Sequence, residues 1–91
     1  MKNKFVITVV GRDTVGIIAK VCTYLADQQV NILDISQTIV DGYFNMMMIV
    51  NMEDATKSFA EISEELEKMG EEIHCIIRVQ REEIFDKMHR I

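Results

Sequence analysis

Apolar residues along this chain switch between a period of two and a period near 3.6. Lys4–Val10 is apolar on both faces except at Thr8, as in a central strand covered on both sides. Asn31–Val40 and Tyr43–Met52 read as two strands joined at Asp41-Gly42, a pair suited to the type I′ hairpin turn. In the second of these, Phe44, Met46, Met48, Val50 and Met52 share the predicted core face, and Tyr43, Asn45, Met47, Ile49 and Asn51 point the other way. Ile73–Gln80 reads as a last strand with Ile73, Cys75, Ile77 and Val79 inward. Two helical stripes intervene. Ile18, Val21, Cys22 and Leu25, widened by Ile17 and Tyr24, make the first; Phe59, Ile62, Leu66 and Met69 make the second. Ile84, Phe85, Met88 and Ile91 mark a short helix within an 81–91 extension.

The punctuation follows. Gly11 ends the first strand, Asp13 caps the first helix, and Gln28 and Gln29 end it. Asp54 is the expected cap of the second helix, Glu64 and Lys68 a favourable pair on it, and Gly70 its C′ residue. The order β-α-β-β-α-β with right-handed crossovers gives an α+β, ferredoxin-like sandwich: a four-stranded antiparallel sheet, order 4-1-3-2, with two helices on one face and a C-terminal helix. The domain is expected over residues 1–80.

Ninety-one residues suit a single domain. No apolar run approaches the ~18 residues of a membrane span, and no leader pattern opens the chain, so a cytoplasmic protein without membrane association is expected. The net charge of −5 leaves no basic footprint for nucleic acid. Cys22 and Cys75 have no metal-ligand spacing and read as reduced core thiols.

The fold hosts many activities, so the sites decide. A metal carrier needs thiolates in the first loop, and Gly11–Gly16 has none. An RNA binder needs exposed aromatics on the central strands, and the outward set offers Tyr43 alone. An acyl phosphate hydrolase needs loop amides and an arginine for the phosphate, for which Arg12 is suited, and an asparagine for the water, for which Asn31 is; Asp13 would oppose the anion. Neither His74 nor His89 has a nucleophile beside it in sequence.

One combination is more specific. Val9-Val10-Gly11-Arg12-Asp13, then Gly16-Ile17-Ile18-Ala19, is followed by Asn31-Ile32-Leu33-Asp34-Ile35-Ser36-Gln37. Over residues 4–80 the chain resembles an ACT domain, the small-molecule-sensing module of amino-acid metabolism. It is similar to small free-standing bacterial ACT-domain proteins and to each half of the two-ACT repressor of the glycine cleavage system. The resemblance implies a non-catalytic regulator, without cofactor or metal, that binds an amino acid between paired domains and acts in trans on an unnamed protein partner. It implies ligand-binding positions at Gly11, Arg12, Asp13, Gly16, Ile17, Asn31, Ile32 and Asp34.

The residues fit that reading. Gly16 in a first helical turn costs ~1 kcal/mol against alanine, which close approach of a ligand or a packed strand would justify. Asn31, taken as a neighbour of the loop, offers an amide; Asp13 and Asp34 offer charge to an ammonium group. Two alternatives stay open: an enzyme acting on a small anion such as an acyl phosphate, and a structural oligomerisation module. A homodimer is expected, either edge to edge or through the face carrying Val6, Thr8, Val10, Met47, Ile49 and Ile76.

Overall fold

The computed structural model describes residues 3–12 and 14–82, with only the backbone of Thr14 and Val15. Its elements are β1 (Lys4–Gly11), α1 (Thr14–Asp27), β2 (Asn31–Val40), β3 (Tyr43–Asn51), α2 (Phe59–Glu72) and β4 (Ile76–Arg81). They form one sheet of order β2-β3-β1-β4, all pairs antiparallel, which is the ferredoxin-like topology expected. β1, apolar on both faces, sits inside the sheet. β2 and β4 are its edges.

The alternation of β3 holds residue by residue. Phe44, Met46, Met48, Val50 and Met52 are all buried, and none of Tyr43, Asn45, Met47, Ile49 or Asn51 is. The buried set joins Phe5, Ile7 and Val9 of β1, Ile77 and Val79 of β4, and the helix stripes Ile17-Val21-Leu25 and Ile62-Leu66 in one core. At its rim Phe5 stacks on Phe59 with centroids 4.8 Å apart. The Arg81 guanidinium lies over both rings, 5.5 and 5.8 Å from their centroids, so β1, α2 and β4 share one contact. On the outer side of the helices, Tyr24 donates a hydrogen bond to Glu65, which also accepts from Lys57 Nζ at 2.7 Å. The Lys57 ammonium, and then the Tyr24 hydroxyl, hold the Glu65 carboxyl below its ordinary value. This is the ion pair among the described residues; the Glu64–Lys68 pair expected from spacing is not formed.

Helix ends depart from expectation in three places. Ser58, not Asp54, caps α2: its Oγ accepts from the Glu61 amide while the Glu61 carboxylate accepts from the Ser58 amide, a capping box. Gly70 does not end α2 but lies buried within it, and the left-handed position falls at His74, φ 60°. β4 accordingly begins at Ile76 rather than Ile73, which is the helix C-cap. α1 closes at Gln29, φ 62°, with Gln29 N donating to Ala26 O and Val30 N to Leu25 O. Buried Val30 meets buried Leu25 there, completing a Schellman motif without glycine. The expected cap Asp13 and the expected helix beyond Glu82 lie outside the described residues; the backbone is already helical at Glu82.

Gly70 is required by packing. A Cβ there would stand 2.8 Å from the Cys75 carbonyl oxygen and 3.2 Å from Ile77 Cγ1. Backbone cannot yield as a side chain does, so the clash outweighs the ~1 kcal/mol that alanine gains in a helix. Gly70→Ala is expected to destabilise the fold by about 1–2 kcal/mol in urea unfolding, a Tm loss of about 4–16 °C at this size. A gain in stability would show that the seam relaxes freely.

Candidate functional site

The loop after β1 is shaped by what Gly11 lacks. A Cβ at Gly11 would lie 2.6 Å from Ile17 Cδ1 and 2.7 Å from Cys75 Cβ. Gly11 ends β1, as expected, and has no positive φ, so close approach is what requires a glycine there. Ile17, which the sequence also placed on the helix's apolar stripe, is a core residue, 1% exposed, packed on Gly11. Gly16 lies in the first turn of α1, partly exposed. The dipole of α1 favours an anion at this end. Arg12 is exposed and bound: Nη2 donates to Tyr43 Oη at 2.9 Å, and the guanidinium stands 4.9 Å from the Tyr43 ring centroid. Through that bond and then through its charge, Arg12 holds the Tyr43 phenol below its ordinary pKa.

Asn31 is not beside this loop. Gly11 pairs with Phe44, and Phe44 with Ile39, at one end of the sheet. Asn31 pairs with Asn51, and Asn51 with Lys4, at the other. Seven residues of β1 separate those rows, about 23 Å at strand rise. The reason is α1 itself: its 14 residues run about 21 Å back along the sheet before β2 begins. Asp34 is also remote. A bulge between Ile32 and Asp34 leaves Leu33 unpaired, and Asp34 pairs with Ile49 on the face away from the helices. Ile32, opposite Val50, packs against the core on the helix side. Of the expected site, one end of the sheet gathers Gly11, Arg12 and Gly16, and the other holds Asn31. Asp13 lies outside the described residues.

Two concavities mark these ends. Beside the loop, Ile18, Gln37, Thr38, Ile39 and Phe44 line a space of 430 Å³. Beside Asn31, Gln29, Val30 and Asp54 line one of 310 Å³. Both reach the size range of small-ligand sites, and both are lined in part by residues of β2. Sequence reasoning missed Gln37, Tyr43 and Asp54. Tyr43 carried a signal, as an aromatic on the outward set of β3; Gln37 stood out only as the end of the Asn31–Gln37 segment and Asp54 only as a helix cap, because their places depend on where the edge strand lies against α1 and the loop after β3.

The two cysteines are free and partly buried, and burial pushes the Cys75 thiol up. No cluster of three or more His, Cys, Asp or Glu suited to a metal exists among the described residues. No described helix is long and apolar enough to cross a membrane.

Comparison with known proteins places these features in context. The family profile for the ACT domain matches residues 3–80. A UPF0237 protein of Bifidobacterium longum is 65% identical over 89 residues, covering 98% of this chain and 99% of its own. Among solved structures, an ACT domain protein from Streptococcus pneumoniae aligns with TM-score 0.80 and 40% identity, over 93% of this chain and 96% of that one. A putative glycine cleavage system transcriptional repressor aligns with TM-score 0.75 and 13% identity, over 88% of this chain and 47% of that one, a likeness of fold.

The Arg12–Tyr43 contact is directly measurable. The chain has two tyrosines and no tryptophan. Burial, and then Glu65, push the Tyr24 phenol far above its ordinary value, while Arg12 pulls Tyr43 down. Ultraviolet titration should show one tyrosine ionising below the usual ~10 and the other only on unfolding. Arg12→Gln should move the first step up and leave the second unchanged. Two overlapping steps near the ordinary value would mean that the contact does not form in solution.

Proposed function

Because the chain belongs to the ACT-domain family, whose members are typically ligand-binding regulatory modules, we propose that it is a non-catalytic sensor of a small amino acid or related carboxylate, a cytoplasmic homodimer acting in trans on another protein. The observation that carries this reading is the separation of the two half-sites. The loop concavity and the Asn31 concavity lie at opposite ends of one edge strand, which supports a site shared between two chains.

Edge pairing would join them. β2 is ten residues long, its outer side pairs with no strand among the described residues, and it contains no Lys, Arg or Pro. The opposite edge, β4, is six residues with Arg78 and Arg81, the shorter and charged kind that resists pairing. Two copies of β2 paired antiparallel about Ser36, with Leu33 left out at the bulge, bring Asn31 of each chain level with Val40 of the other. A two-fold dimer thus holds two equivalent sites. Each sets the α1 N-terminus and Gln37 of one chain against Asn31 and Asp54 of its partner. The helix end suits a carboxylate and Asp54 suits an ammonium group, so the arrangement favours a zwitterion over a phosphate.

The catalytic alternative, acyl phosphate hydrolysis, draws on the same Arg12 and Asn31. It is distinguished by turnover: acetyl phosphate should be neither bound nor consumed.

A thermal-shift screen of the common amino acids and their keto acids tests the reading. At a hundred times its dissociation constant a ligand adds ~2.7 kcal/mol, a rise of about 10 °C or more. Ser36→Glu, which sets two carboxylates directly opposite each other at the dimer axis, should give a folded monomer with no shift. Asn31→Ala should remain dimeric with no shift. A monomer that keeps the full shift would contradict the shared site.

A further inference from the structure

The strand register fixes which side chains of β2 share the face of the sheet that carries the helices. Ile32, Ile35, Gln37 and Ile39 stand opposite Val50, Met48, Met46 and Phe44, all of them buried in the core, so the four β2 side chains lie on the helix side. Their cover thins along the strand. Ile32 is half-buried, Ile35 is 40% exposed and Ile39 is 70% exposed. Ile39, the barest of them, lies at the end of the sheet where α1 begins. There it lines the concavity of 430 Å³ together with Ile18, Phe44, Gln37 and Thr38. Ile18 is itself half-buried and packs against the core. No charged side chain is among the described lining residues. Arg12 does not supply one, because its guanidinium is bound to Tyr43, whose side chain belongs to the outward set of β3. An edge strand ordinarily guards itself with charge; here the bare end presents an isoleucine beside a hollow.

We infer that the amino acid held at the shared site carries an apolar side chain, of the valine or leucine kind, seated on Ile18, Ile39 and Phe44. The inference rests on the shared-site reading above and narrows its ligand. Strand pairing about Ser36, with Leu33 left out, sets Ile32 of the partner subunit level with Ile39, so the apolar floor continues across the boundary between chains. The ligand's own charges are met elsewhere, by the end of α1 and by Asn31 and Asp54 of the partner subunit. A charged side chain would be stripped of water against isoleucine and phenylalanine with no opposite charge to receive it. Glycine and alanine would leave most of the 430 Å³ unfilled and forfeit the contacts its walls offer. Each methylene withdrawn from water there raises affinity about fourfold. Threonine has the shape of valine but sets a hydroxyl against the floor, and a hydrophobic pocket separates such isosteres by up to about a hundredfold.

The test is calorimetric titration of the full-length chain with valine, threonine, leucine and alanine. Leucine should bind about tenfold or more tightly than alanine, and valine about tenfold or more tightly than threonine. Ile39→Thr should lower the valine-to-threonine ratio severalfold in a protein that sediments like wild type. Val40→Thr, on the opposite face of the same strand as the partner of Tyr43, should leave that ratio unchanged. The wild-type ratios decide the ligand class. Threonine binding as tightly as valine, or alanine as tightly as leucine, would overturn the inference and leave the sensor reading standing. A ratio unmoved by Ile39→Thr, or lowered equally by Val40→Thr, would overturn the placement of the side chain on Ile39. No heat of binding with any amino acid would remove the sensor reading and this inference with it.

Discussion

Cys75 leads into β4 through a gap that two glycines leave open. A side chain at Gly11 would strike Cys75 Cβ, and one at Gly70 would strike the Cys75 carbonyl oxygen. This seam fixes where α2 ends, where β4 begins, and how closely the first turn of α1 lies on the end of β1, since Ile17 fills the remaining side of Gly11. Dense packing transmits such a constraint, because interiors have few voids to absorb a shift. Gly11, Ile17 and Cys75 therefore hold the start of α1 against the end of β1.

The consequence for function lies in the other direction, along the sheet. A 14-residue helix carries the chain the length of a strand, so the two segments that define the family likeness, Gly11–Ala19 and Asn31–Gln37, begin at opposite ends of the sheet. They are neighbours in sequence and strangers in space. An edge strand ten residues long connects their two concavities. A two-fold operator acting on that strand would make one complementary site at each end, and ligand occupancy would then be linked to assembly: whatever binds the joined site stabilises the dimer by the same free energy.

Much of this was legible in the residues. The alternation of β3, the Asp41-Gly42 turn and the two helix stripes give the topology, because a residue's face depends on its period alone. The Ser58-Phe59-Ala60-Glu61 capping box is equally plain in the sequence, and its two reciprocal bonds cap α2 in place of Asp54. Other features carry no local signal. Gln29 and His74 adopt left-handed conformations that glycine or asparagine would advertise. Gly70 looked like a helix terminator because its role comes from a strand that packs on it from afar. Asn31 looked like a neighbour of the loop because closeness in sequence was taken for closeness in space; the parallel run of β1 and β2 implied by a right-handed crossover already separates them.

The most direct test of the account is subunit complementation with an amino acid that shifts the wild-type protein. Gly16→Val spoils the loop half of each site and Asn31→Ala the other half, so each variant alone should bind nothing. If sites are shared between chains, subunits exchanged between the two variants give hybrid dimers in which one site receives both defects and the other receives none. Calorimetric titration of the exchanged mixture should then recover about a quarter of the wild-type sites, at wild-type affinity. No recovery after verified exchange would contradict the account and place the whole site within one chain.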